Sequence, residues 1–186
     1  VQTGLNPCEH GLLGWDQYIK PMDKVITLYM NTIKDTDIKP DFNVINTYLP
    51  FRTITDDINE KHSAHEIFTF RLKEERAFET ALELTKKHCN NEGRQYIYLY
   101  NDEPDHSCHE LGYDHPEIVE LYKNINNEIE KFCKDLKDTT VIITADHGHI
   151  ISDPILLSNY PDIFSMLSKD ISIEGRACNF FIKEEC

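Results

Sequence analysis

Thr139-Thr140-Val141-Ile142-Ile143-Thr144-Ala145-Asp146-His147-Gly148-His149 is the stretch whose reading decides the fold. Val141, Ile142 and Ile143 form an apolar run without period-two alternation. Such a run suits a strand covered on both faces, as in a parallel sheet between helices. Asp146 and His147 follow at once. Ligands of open α/β sheets bind beyond the carboxyl ends of the strands, so both side chains are placed to address one cation. Gly148 reads as the residue that lets the backbone turn sharply there. An ordinary loop with a solvated Asp and His is the competing reading of the dipeptide by itself.

The preceding segments repeat this scheme. Residues 96–100, Tyr-Ile-Tyr-Leu-Tyr, alternate aromatic and aliphatic side chains and predict a strand with one aromatic face. Just past it comes Asn101-Asp102-Glu103-Pro104-Asp105-His106-Ser107-Cys108-His109-Glu110-Leu111-Gly112. One helical turn puts Asp105 and His109 on the same side. Two successive strands thus each deliver an Asp and a His at their ends. That coincidence is more specific than either pair. Asp oxygen and His nitrogen suit zinc, and also manganese or iron. His109-Glu110 lacks the second histidine of an H-E-x-x-H site. His106 and His115 read as exposed or supporting groups.

Helices are predicted over 53–61, 73–88 and 116–136, with a further strand over 64–70. Ala77, Phe78, Ala81, Leu82 and Leu84 make the stripe of the second helix. Ile118, Val119, Leu121, Tyr122, Ile125, Ile129, Phe132 and Leu136 are expected to face inward from the third. With 140–144, the order strand, helix, strand, helix, strand predicts an α/β fold with a mostly parallel sheet flanked by helices. The expected organisation is one α/β domain over 1–186. In it, 1–52 are loop-rich, 53–150 form the βαβ core with the ligand motifs, and 151–186 are peripheral. Residues 25–29 and 178–183 read as short strands, and 162–167 as a helical turn.

Composition narrows the function. Nineteen Lys and Arg face 33 Asp and Glu, for a net charge of −14. That balance argues against a nucleic-acid groove, which needs a basic face, and against adsorption to an anionic membrane. An acidic protein handles a phosphate ester when bound cations reverse the local field. No apolar run reaches the length of a transmembrane helix. Cys8, Cys89, Cys108, Cys133, Cys178 and Cys186 form no C-x-x-C pair and are too scattered for a disulfide scaffold. They read as reduced thiols of a cytoplasmic protein. The chain starts at Val1 rather than Met, so secretion stays open.

Pro104-Asp105-x-x-x-His109-x-x-Gly112 followed by Ala145-Asp146-His147-Gly148 resembles the type I phosphodiesterase/nucleotide pyrophosphatase branch of the alkaline phosphatase superfamily. The opening Thr3-Gly4-Leu5-Asn6-Pro7-x-x-His10-Gly11 looks like the segment that follows the nucleophile in that branch. The resemblance implies a partial alkaline-phosphatase-like core and two divalent metal ions, zinc first. Asp105 and His109 would hold the first ion, and Asp146 and His147 the second. It further implies a Thr nucleophile upstream of Val1 and another ligand downstream, so that residues 1–186 are expected to be a middle piece, binding metal only weakly with one Asp and one His per ion, and inactive alone. Cys108 stands where many members carry Gly. His149, two residues past a proposed ligand, reads as a solvent-facing loop histidine, with orientation of a ligand carboxylate or a substrate oxygen as the alternative. The implied substrate is a small phosphate ester or nucleotide. A phosphomonoesterase, sulfatase or phosphomutase of the superfamily reuses the same ligands, and a non-catalytic α/β interaction domain is the alternative from another class.

Overall fold

Short connections set the larger sheet. The computed structural model describes residues 2–153 and 155–185. In it, strand β1 (Asp16–Ile19) reaches β2 (Lys24–Thr27) through the 3₁₀ turn Lys20–Met22. β2 reaches β3 (Thr32–Ile33) through a bend in which Asn31 has φ 55°. Links this short permit only antiparallel neighbours. β6 (Ser172–Glu174) and β7 (Ala177–Asn179) form a second hairpin, and Ile173 pairs with Asp16. The order is β3-β2-β1-β6-β7, antiparallel throughout.

These strands belong to one of two compact units, Val1–Thr53 with Pro154–Cys186; the other is Ile54–Asp153. The first unit also carries the short helices α1 (Pro7–His10), α2 (Val44–Tyr48) and α8 (Pro161–Ser165). Its core is Ile19, Ile26, Leu28 and Val44, against which Leu12, Ile33 and Tyr48 pack. The β-branched pair Val25-Ile26 makes β2 the most deeply buried strand of the sheet, although β1 is its central one.

The second unit is a βαβ arrangement. After α3 (Ile54–Asn59), strand β4 (Ser63–Phe68) runs parallel to β5 (Gln95–Tyr100) in register from Ser63–Gln95 to Phe68–Tyr100. The crossover is α4 (Thr69–Leu72) and α5 (Ala77–Cys89). α5 buries Ala81, Leu82 and Thr85, and the Thr85 hydroxyl is satisfied by Ala81 O at 2.8 Å. β5 leads into α6 (Asp105–Leu111), and α7 (Pro116–Lys134) follows. α7 starts on Pro116, with the His115 ring accepting from the Glu117 amide.

Three sequence expectations are corrected here. The larger sheet is antiparallel and only the β4–β5 pair is parallel, because its strands are joined by hairpins and lack helical crossovers. Residues 140–144 are not a strand. Val141, Ile142 and Ile143 are 41%, 85% and 69% exposed, and no strand among the described residues lies beside them. An extended segment without a ladder partner has nothing to order it as a strand. On α7, Val119 and Tyr122 face out; the inward stripe is Ile118, Leu121, Ile125, Ile129 and Phe132, at helical spacing. Cys8, Cys89, Cys108, Cys133 and Cys178 are free thiols; Cys186 lies outside the described residues.

Candidate metal centre

The β5–α6 turn positions the first pair of candidate ligands. Thr69, just past β4, is 3% exposed. Its hydroxyl donates to Asp102 Oδ1 at 2.5 Å and accepts from the Asp102 amide at 3.3 Å. Asn101 Nδ2 donates to Glu103 O at 2.6 Å. The turn is thereby fixed to the neighbouring strand before α6 begins. Asp105 opens that helix, and His109 follows one turn later on the same face. Cys108, the buried residue of α6, has its Sγ 4.0 Å from the Tyr122 hydroxyl of α7. Burial, then that thiol contact, pushes the Tyr122 hydroxyl above its ordinary value.

Three imidazoles converge on one oxygen of Asp105. His149 Nε2 lies 2.9 Å from Oδ1, His109 Nε2 3.6 Å and His147 Nε2 3.7 Å. The ring of His149 meets His109 and His147 edge-on, at 5.1 and 5.4 Å between centroids. Asp105 Oδ1 is itself buried, yet it has no partner of hydrogen-bonding geometry. A buried carboxylate oxygen without a hydrogen bond is costly. Among the described residues, one donor atom each from Asp105, His109 and His149 lie within 4.8 Å of one another. Nitrogen and oxygen ligands around zinc, at bonds of about 2.0–2.2 Å, sit within such a separation. The orphaned oxygen and the donor chemistry together fit a divalent cation.

Asp146 stands apart from this convergence. Its Oδ1 accepts from the His147 amide at 3.0 Å. Its charge also reaches the tyrosines of β5, as that of Asp105 does at Tyr100. Burial raises the Tyr98 and Tyr100 hydroxyls above the ordinary tyrosine range, and Asp146 adds to both shifts. The structure therefore brings together Asp105, His109 and His147 of the predicted ligands. It adds His149 as the nearest group and leaves Asp146 toward the tyrosines. Gly148 has no positive φ, and a Cβ there would meet nothing within 4 Å, so the backbone at this position does not require glycine. His106 is exposed and faces Glu110 at 3.8 Å. Thr69 and Asp102 had no sequence signal beyond lying at strand ends.

Two clefts among the described residues lie away from the imidazoles. A cleft of about 410 Å³ borders the same turn, lined by Thr69, Phe70, Asn101, Asp102 and Glu103, but by none of the histidines. A cleft of about 560 Å³ belongs to the other unit and also lacks histidine. The converging donors are the stronger indication, because they have matched chemistry and the clefts only have volume.

A carboxylate and clustered imidazoles at the carboxyl end of a parallel strand define a candidate metal-dependent enzyme of the α/β class. The family model for type I phosphodiesterase / nucleotide pyrophosphatase matches residues 15–162, and the chain belongs to that family. No curated protein and no solved structure matches the chain. Among the described residues no helix is long and apolar enough to cross a membrane.

Proposed function

We infer that this chain carries the metal-binding rim of a phosphoric ester hydrolase of the phosphodiesterase/nucleotide pyrophosphatase type. The observation that supports this most is the buried, unpartnered Oδ1 of Asp105 with three imidazole nitrogens around it. Family membership supplies the reaction class. Asp105 and His109 hold one divalent ion, and Asp146 with His147 serves a second, zinc being favoured by the donor set. Bound cations supply Lewis-acid polarisation of a phosphoryl oxygen and offset the charge of the acidic chain.

The protein groups have separable tasks. The Thr69–Asp102 contacts hold the turn, so that Asp105 and His109 keep a fixed geometry. His147, whose ring Nδ1 lies 3.1 Å from Gly148 O, keeps Nε2 toward Asp105. The acceptor of the phosphoryl group is a threonine, as the family resemblance implies. Small phosphate esters or nucleotides are the substrates.

The test is hydrolysis of an aryl phosphodiester by the full-length protein, with and without chelator. Metal-dependent turnover that Asp105→Ala removes supports the reading. Turnover that ignores both chelator and Asp105→Ala overturns it.

A further inference from the structure

We propose that His149 is a direct metal ligand, completing with Asp105 and His109 a three-donor site for one zinc-like divalent cation. The inference rests on the metal-centre reading above, but not on the ester chemistry. The sequence motif assigns His149 no such place. Geometry singles it out. Its Nε2 is the nitrogen closest to Asp105 Oδ1, at 2.9 Å. Its side chain is 17% exposed, against 36% for His147 and 65% for His109. It is therefore the best-fixed imidazole of the three.

The contact makes little sense without a positive charge between the two atoms. A neutral imidazole nitrogen that lacks its proton is an acceptor, and so is a carboxylate oxygen. Two acceptors 2.9 Å apart repel. A proton on Nε2 would resolve this through a hydrogen bond, but Oδ1 has none of acceptable geometry. A cation bonded to both atoms resolves it, and His109 is within reach of the same point. His147 and His149 are two residues apart, and both reach the same oxygen. Asp146 and the intervening Gly148 do not. Two nitrogens and one oxygen make the donor set of a catalytic zinc site, which keeps its fourth position open. The ligand class is a borderline divalent ion: zinc, or cobalt as its spectroscopic substitute.

The experiment titrates the whole chain, residues 1–186, with Zn²⁺ against a competing chelator, and with Co²⁺ followed by its visible spectrum. His149→Ala, Asp105→Ala and Asp146→Ala are compared, with circular dichroism confirming that each is folded. Loss of an outer-shell partner weakens metal binding about 10–100-fold. For His149→Ala we expect a loss beyond about 100-fold and a changed Co²⁺ spectrum, both restored by added imidazole. Asp105→Ala is expected to abolish binding, and Asp146→Ala to leave this ion in place. A loss within the outer-shell range, an unchanged spectrum, or no imidazole rescue overturns the proposal. So does a wild-type chain that binds neither metal. Failure of ester hydrolysis in the full-length protein, with His149-dependent metal binding intact, would count against the hydrolase reading alone.

Discussion

Thr69 and Asp102 hold each other in both directions across the β4–β5 edge. The hydroxyl donates to the carboxylate at 2.5 Å, and the Asp102 amide donates back to the hydroxyl at 3.3 Å. The pair ties the end of one strand to the turn that launches Asp105. Thr69→Val keeps the volume and removes both bonds, leaving a part-buried carboxylate and amide unsatisfied. An unsatisfied buried partner costs about 1–3 kcal/mol. Urea unfolding should show a loss of that size, with weaker Zn²⁺ binding as Asp105 loosens. Thr69→Ser should recover most of both. Equal stability in the valine variant would mean that the contact is incidental.

Gly112 and Gly148 belong to the two motifs but do different things. Gly112 ends α6 at φ 88° and ψ 148°, a region that side chains other than glycine rarely enter. Gly148 has an ordinary backbone and open space around it. Gly112→Ala is expected to cost about 1–3 kcal/mol, and Gly148→Ala to fall within about 0.5 kcal/mol of wild type. Denaturation midpoints of the two variants, measured side by side, check the contrast. A strongly destabilised Gly148→Ala would mean that position 148 needs glycine after all.

The same contrast explains how much was legible beforehand. Asp105 and His109 were readable as a pair because α-helical spacing is local: four residues make one turn in any context. α5, β5 and α7 were readable for the same reason, each announcing itself by its own periodicity. β1 and β3 were missed. They are Asp-Gln-Tyr-Ile and Thr-Ile, too short and too polar to signal, and they exist because hairpins bring them to β2. The parallel sheet was overdrawn. A crossover can be inferred from element order, but the neighbour that a strand must pair with is a long-range fact. His149 was undervalued for a related reason. No spacing within the sequence relates it to Asp105, and only the path of the chain after α7 brings them to 2.9 Å.

His88 carries a pH dependence that can be read in sign. Its ring stacks on His65 at 3.7 Å between centroids, and its Nδ1 is buried without a partner. Burial pushes the imidazole below the ordinary histidine range, and His65 and Lys87 push the same way. The unfolded chain therefore takes up the proton first as the pH falls. The stabilising contribution is complete above about pH 6.5, the unfolded value, and is lost as the pH drops through the lower folded value. Thermal midpoints from pH 7.5 to 5.5 should fall more steeply for wild type than for His88→Leu. Parallel curves would mean that the stacked pair has no linkage to folding.

Ile142 offers the sharpest test of how residues 140–144 lie. Its side chain is 85% exposed, and Ile143 beside it 69%. A central strand of a parallel sheet would bury both. Truncating a buried isoleucine to alanine costs about 2–5 kcal/mol through lost transfer energy and the cavity left behind. An exposed one changes stability by about 0.5 kcal/mol or less. These ranges do not overlap, so a single variant discriminates. In residues 1–186, Ile142→Ala should unfold at the same urea concentration as wild type. Ile67→Ala in β4, where the side chain is 7% exposed, should fall in the larger range and serves as the internal control. A penalty at Ile142 comparable to that at Ile67 would show the segment packed as a strand in solution, and the exposed reading would have to be given up.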